Sequence, residues 1–265
     1  MVLLGNLGSQ PAYAVSGLLV GILVGLTGVG GGSLMTPLLV MLFGFHPSTA
    51  VGTDLLFAAV TKTVGTTIHS AGKTVDWLIV RRLAMGSMPT TILCLLALAY
   101  AGAANKAMSD LISATLGVSL LLSAASLLFK TQILNAISRR YPEFGTTTSL
   151  PLTVLTGAIL GVLVCLSSVG AGALGTVALI ILYPRQPMVR IVGSDIAHAV
   201  PLTLLAGLGH WFLGTVNLPL VGQLLFGSIP GIILGSFAAR YAPDRVLKTC
   251  LGVILAIVGF RMLMK

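Results

Sequence analysis

Thr27-Gly28-Val29-Gly30-Gly31-Gly32-Ser33 interrupts an apolar run that begins near Pro11 and resumes at Leu34. Four glycines in five residues cannot sit in a good helix, because each costs about 1 kcal/mol relative to alanine. Inside a bilayer, backbone released from helical bonding has to face protein or a water-filled cavity, since lipid offers it no partner. The stretch therefore reads as a break in a membrane helix and a candidate solute site. A second break, Ser167-Ser168-Val169-Gly170-Ala171-Gly172-Ala173, interrupts another apolar run in the corresponding place.

The composition supports the membrane setting. Of 265 residues, 56% are hydrophobic and only 8% charged, and the mean hydropathy is +1.04. A soluble domain carries roughly 25% charged residues, so this chain cannot cover a soluble surface and reads as an all-α polytopic membrane protein in a lipid bilayer. The net charge of +9 does not point to nucleic acid, because the basic residues lie between the apolar segments, where they act as topology signals. Cys94, Cys165 and Cys250 are scattered through apolar segments and suggest neither a disulfide framework nor a metal site. No cofactor is expected. Residues 1–10 carry no Lys or Arg, so the first apolar segment is expected to stay in the mature chain rather than act as a cleaved signal.

Ten apolar segments are legible, at 11–27, 33–44, 50–70, 78–102, 109–129, 151–167, 173–183, 190–212, 218–239 and 246–263. The first two of each five fall short of the roughly 20 residues of a spanning helix, and they flank the Gly-rich breaks. The two sets of five form an internal repeat. Gly17 and Gly21 align with Gly157 and Gly161, Val51-Gly52-Thr53-Asp54 with Val192-Gly193-Ser194-Asp195, and His69 with His210. Thr74-Val75-Asp76 aligns with Thr215-Val216-Asn217, and Gly86-Ser87-Met88-Pro89 with Gly227-Ser228-Ile229-Pro230. An odd number of segments makes the second repeat enter the membrane upside down. Charge agrees: Lys73, Arg81, Arg82, Lys130, Arg139, Arg140, Arg185, Arg190, Arg240, Arg245 and Lys248 fall on one side, and only Lys106, Arg261 and Lys265 on the other. The positive-inside rule places the larger set in the cytoplasm and both termini outside. The expected organisation is a repeat over 1–130, a cytoplasmic linker over 131–150 and an inverted repeat over 151–265. The linker's charge is explained by topology alone, although lipid headgroups or a partner could also use it.

Both breaks lead into helices, and a helix N-terminus offers unpaired amides and partial positive charge to an anion. Thr27, Gly28, Gly30, Gly31, Gly32 and Ser33 from the first break, and Ser167, Ser168, Gly170 and Gly172 from the second, are the candidate solute contacts. Close packing between helices is the competing reading of the glycines. No Gly-Lys-Ser/Thr follows them, so a phosphate loop is not indicated. Lys62 is the one basic residue deep in an apolar segment, and an intramembrane charge costs about 2.5–3.5 kcal/mol on insertion scales. It would balance an anionic solute or join a structural ion pair. Asp54 is a poor partner within its helix, about 80° and 12 Å away, whereas Asp195 could pair from the other repeat. Asp54 and Asp195 either complement the N-terminal ends of their own helices or carry coupling protons. His198 shares a helix face with Asp195. His69 and His210 read as interfacial packing residues, and Cys165 as a small buried apolar group.

Taken in order, these residues resemble the TauE/SafE family of sulfite exporter or organosulfonate transporter proteins. The features are Gly25-Leu26-Thr27-Gly28-Val29-Gly30-Gly31-Gly32 followed by Pro37, then Val51-Gly52-Thr53-Asp54, His69, the stretch from Gly72 to Trp77, and the degenerate second copy with Val192-Gly193-Ser194-Asp195. The resemblance implies secondary transport of a small sulfur-containing anion across the bacterial inner membrane. The second copy has Thr203 where the first has Lys62, so an asymmetric site is expected. A cation permease or channel using Asp54 and Asp195 is the alternative. An enzyme is not indicated, because no nucleophile and base stand at a recognised spacing. A homo-oligomer is compatible with the sequence.

Overall fold

A computed structural model of the chain describes residues 10–27, 32–102, 105–129, 132, 149–238 and 244–264. Among the described residues there are ten helices and no strand. They are α1 Gln10–Thr27, α2 Gly32–Met41, α3 Pro47–Ala71, α4 Trp77–Ala101, α5 Lys106–Leu128, α6 Ser149–Ser167, α7 Ala173–Leu182, α8 Met188–Phe212, α9 Leu218–Ala238 and α10 Asp244–Leu263. The ten apolar segments match them to within three residues at each end. α4, α5, α6, α8 and α9 are long and apolar enough to cross a membrane by length and composition. α2 and α7 have ten residues each, about 15 Å of helix, or half the roughly 30 Å hydrocarbon core. α1 and α6 have 18 and 19 residues. Both members of each pair fall short of about 20 residues, as the sequence predicts, although α6 is long and apolar enough to count among the spanning helices.

Burial is inverted relative to a soluble protein. Phe226 is 80% exposed and Leu42 70%, while Thr53, Asp54, Ser87, Thr91, Ser119, Ser194, Asp195, His198 and Thr203 are buried. Lipid solvates the apolar exterior and offers polar groups nothing, so hydroxyls and charges turn inward to find partners. The chain is a multi-pass, all-α membrane protein.

Glycine sets how the helices cross. α1 packs on α9, and α4 on α6. A Cβ on Gly17 would strike the Leu224 carbonyl, and one on Gly157 the Leu83 carbonyl. Gly21 meets Ser228 as Gly161 meets Ser87, and Gly227 meets Ala14 as Gly86 meets Val154. Members of each matched pair are 140 or 141 residues apart, the offset of the internal repeat. The aligned glycines of the sequence are therefore the two copies of one helix crossing. Gly17 and Gly21 meet Leu224 and Ser228 in rising order, and Gly157 and Gly161 meet Leu83 and Ser87 likewise, so each pair is parallel.

α3 and α8 instead run antiparallel, with Gly52 beside His210 and Gly207 beside Leu56. α5 and α10 do the same, with Gly117 beside Gly259 and Gly252 beside Leu128. Helices at matching places in the two halves of the sequence thus pack antiparallel. The halves also share their core: Met35, Phe57, Leu120, Val169, Leu224 and Leu255 form one cluster.

The aligned loop motifs are exchanged bonds. Asp76 N–H donates to Ser194 Oγ (2.8 Å), and Asn217 N–H donates to Thr53 Oγ1 (3.1 Å). Asp76 Oδ1 also accepts from the Leu78 and Ile79 amides at the start of α4, and Asn217 Oδ1 from Leu220 at the start of α9. Arg82 Nη1 donates to Tyr183 OH (3.2 Å). The loops at 71–82 and 184–190, which the charge pattern assigns to one side, thus share one end of the bundle. The 131–150 linker lies almost wholly outside the described residues.

Enlarging a crossing glycine overpacks an interface that has no slack, at a cost of about 1–3 kcal/mol or more. Gly227→Ala should lower the melting temperature in detergent. Gly222→Ala, which meets nothing within 4 Å, should leave it unchanged or slightly raised, since alanine is the better helix former. Equal melting of the two variants would contradict the crossing.

Candidate functional site

The second break is fully described. α6 ends at Ser167 and α7 starts at Ala173, with φ of 57° at Ser168, 130° at Gly170 and 128° at Gly172. Glycine enters that region without the steric cost of a Cβ, which accounts for the residue type at 170 and 172. Ser167 Oγ lies 2.6 Å from the Leu163 carbonyl, 3.2 Å from the Val169 carbonyl and 3.2 Å from Ser119 Oγ, and accepts from the Val169 amide (3.2 Å). Its hydroxyl ties the break to itself and to α5.

Two carboxylates stand in matching places. Thr36 Oγ1 of α2 donates to Asp54 Oδ2 of α3 (2.5 Å), and Thr176 Oγ1 of α7 donates to Asp195 Oδ2 of α8 (2.9 Å). The Thr36 amide faces Asp54, and the Gly172 and Thr176 amides face Asp195. Gly175 makes the second approach feasible, because a Cβ there would overlap Asp195 Oδ1. Each half-length helix thus meets, near its positive N-terminal end, a carboxylate from the third helix of its own repeat. Neither Asp54 nor Asp195 is in the first turn of its own helix. The helix ends they complement belong to α2 and α7, which corrects the expectation that they serve α3 and α8. In this structure the start of α7, read from the sequence as an anion site, is faced by the protein's own Asp195.

Lys62 lies within electrostatic reach of both carboxylates. It is 5% exposed, and Asp54, Asp195 and His198 are at most 1% exposed. Lys62 Nζ donates to the Ala171 carbonyl of the second break (3.2 Å). Asp195 and Asp54 act on the ammonium through space, and the ammonium acts on His198. His198 Nε2 is 2.8 Å from Ser87 Oγ on α4. Four atoms of this group are buried without a hydrogen-bond partner: Asp54 Oδ1, Ser168 Oγ, Asp195 Oδ1 and His198 Nδ1. Ser168 lies beside Asp54, although the two form no bond of good geometry. An unpaired buried polar group costs about 1–3 kcal/mol, so such atoms are few in native proteins. Their concentration around one ammonium sets this region apart.

The cluster is single rather than doubled. Thr203, the counterpart of Lys62, donates to Ala199 O of its own helix (2.8 Å). Phe57, the counterpart of His198, is buried in the apolar core. Of the first-break candidates, Gly28, Gly30 and Gly31 lie outside the described residues, as do the side chains of Thr27 and Ser33; Gly32 opens α2. The His69 side chain also lies outside them. His210, in the last turn of α8, is fully buried. Its Nδ1 lies 2.9 Å from Thr215 Oγ1 and its Nε2 3.0 Å from the Cys165 carbonyl, so it ties the end of α8 to α6 just before the break. Among the described residues no group of three or more His, Cys, Asp or Glu could hold a metal.

Thr36, Thr176, Gly175 and Ser87 were not singled out from the sequence. Thr36 and Thr176 carried a signal, since they are 140 residues apart like the crossing glycines, and Ser87 sits in a repeated block. Gly175 has Met35 in the matching position and gave none. A hydrogen bond to a charged group is worth about 1.5–3 kcal/mol. Thr36→Val and Thr176→Val, which keep the shape and remove the donor, should each lower the melting temperature, and the Ser variants should restore most of the loss. Unchanged melting of both Val variants would remove the carboxylate–helix contact from the account.

The profile described as "Sulfite exporter TauE/SafE" matches residues 13–262. Probable membrane transporter protein YjnA of Bacillus subtilis is 38% identical over 249 residues, covering 93% of this chain and 97% of that protein. A probable membrane transporter protein of Methanocaldococcus jannaschii is 25% identical over 271 residues, covering 96% of this chain and 95% of that protein. No solved structure gives a significant match. By the extent of the profile match and the near-complete alignment with YjnA, the chain belongs to the TauE/SafE family.

Proposed function

We propose that the protein is a secondary transporter of a small anion, a sulfur oxyanion or organosulfonate such as sulfite or sulfoacetate, working by alternating access. The observation that carries the reading is the buried cluster at the second break, where Lys62, Asp54, Asp195, His198 and Ser168 leave four polar atoms unpartnered. Family membership and the names of the aligned relatives support the transporter class. The sulfur chemistry rests on the family name alone. A buried ammonium whose one hydrogen bond among the described residues is to a carbonyl is the group there that attracts an anionic solute. The antiparallel packing of α3 on α8 and α5 on α10 supports inverted repeats, with the cluster where they meet. The membrane is the plasma membrane, with the Arg-rich end in the cytoplasm.

The charges suggest how transport is coupled. The cluster holds two carboxylates and one ammonium. An entering anion adds a further negative charge, and an uncompensated buried charge costs several kcal/mol. A proton on Asp54 or Asp195 removes that cost. A neutral Asp195 also competes less for the amides at the start of α7, freeing them for the solute. Proton and anion therefore favour each other's binding, with Lys62 as the fixed countercharge and Ser168, Gly170 and Gly172 shaping the contact. The first break, from Thr27 to Ser33, contributes from the other repeat.

The test is flux into lipid vesicles containing the purified protein. Uptake of sulfite or a sulfonate should saturate, be inhibited by competing anions and respond to an imposed proton gradient. Asp54→Asn or Asp195→Asn should remove the gradient response. Lys62→Ala should abolish uptake in a protein that still folds. Undiminished uptake by Lys62→Ala would end the anion role of Lys62. Ohmic cation conductance that is lost in the Asp variants would favour a cation permease.

A further inference from the structure

We propose that Cys94 and Cys165 are a redox-active dithiol that closes to a disulfide and bolts α4 to α6 beside the second break. Contacts along these parallel helices advance turn by turn. Leu83 meets Gly157 and Ser87 meets Gly161; Thr90 Oγ1 donates to Ala158 O (3.1 Å) and Thr91 Oγ1 to Gly161 O (3.3 Å). One turn further on, Cys94 packs against the cluster that holds Cys165, and each thiol lies within reach of the other's influence. Both belong to the same apolar cluster, and both are free thiols. A disulfide needs Cα atoms about 4.4–6.8 Å apart. Gly157 and Gly161, set directly against the α4 backbone, draw the two helices together along the same crossing, and the third cysteine, Cys250, is exposed on α10, away from that interface.

Exposure selects the oxidant. Cys165 is sealed, whereas Cys94 is partly exposed on a helix face whose neighbours Leu93 and Leu96 are turned outward to lipid. A lipid-soluble two-electron oxidant, a quinone, can reach it there. In the step two S–H bonds break and one S–S bond forms; the quinone takes up both electrons and both protons and leaves as the quinol. A dithiol reductant reverses the reaction by exchange. Cys165 stands three residues before Ser168, and its carbonyl already accepts from His210 Nε2. The added bond would hold the end of α6 from α4 as well as from α8, stopping any shift of the break relative to α4. The thiol chemistry is independent of the transport reading; the effect on flux rests on it.

The experiment uses the full-length Cys250→Ser protein in lipid vesicles, treated with a short-chain ubiquinone. Maleimide-reactive thiols, counted after denaturation, should fall from two to none. Peptide mass analysis should find Cys94 joined to Cys165 with the loss of two hydrogens, and dithiothreitol should restore both thiols. The Cys94→Ser, Cys250→Ser double variant should keep its one thiol through the same treatment. Two titratable thiols after oxidation, or only bonds between chains, would overturn the proposal. Flux of the anion that the untreated protein carries should be lost on oxidation, recover with the thiols and be insensitive in the double variant. A disulfide that forms and leaves flux unchanged would overturn the bolt while leaving the transport reading intact.

Discussion

A carboxylate set near the positive end of a half-length helix, inside a membrane, is the contact on which the rest of this structure depends. α2 and α7 span about half the hydrocarbon core, and their N-terminal amides have no partner within the helix. Those amides need negative charge and find no water in lipid to supply it. Asp54 and Asp195 provide it, each with a threonine hydroxyl from the helix it faces. The contact solves two problems together, since a buried carboxylate also needs donors. It leaves one oxygen of each carboxylate unpartnered.

The surrounding packing keeps that arrangement in register. Crossings at Gly17, Gly21 and Gly227 on one side, and at Gly157, Gly161 and Gly86 on the other, seat α1 on α9 and α4 on α6. The exchanged bonds from Asp76 and Asn217 fix the ends of α8 and α3, the helices that carry the carboxylates. Lys62 and His198 then break the symmetry. With one ammonium from the first half and one imidazole from the second, the two Thr–Asp pairs share a single polar centre instead of forming two equal sites.

Much of the fold was legible because lipid imposes simple rules. Ten apolar segments became ten helices, and the aligned glycines and loop motifs mark repeated contacts. Placement of charge was legible too: Lys62, Asp54, Asp195 and His198 stood out as polar groups in apolar runs, and the structure buries all four. Partners were harder to read. Helical spacing tested Asp54 against its own helix, but the groups it meets come from α2 and the second break, and only the crossing of helices brings those together. Ser167 and Ser168 look equivalent in sequence, yet one closes the break and the other lies beside Asp54, because the helix ends at Ser167 and the backbone turns to a φ of 57° at Ser168. Burial of His210 depends on the Cys165 carbonyl 45 residues earlier, which no local pattern reports.

The most direct measurement is thermal unfolding of the purified protein and of Lys62→Ala with sulfite, thiosulfate, sulfate, sulfoacetate, taurine and chloride. A ligand that binds only the folded state raises its melting temperature by mass action. The account predicts a selective rise with one sulfur oxyanion or sulfonate for the protein and none for Lys62→Ala, while the variant still melts cooperatively. No rise with any of these solutes, together with a rise on adding a metal cation, would contradict an anion site at Lys62 and make Asp54 and Asp195 the ligands instead.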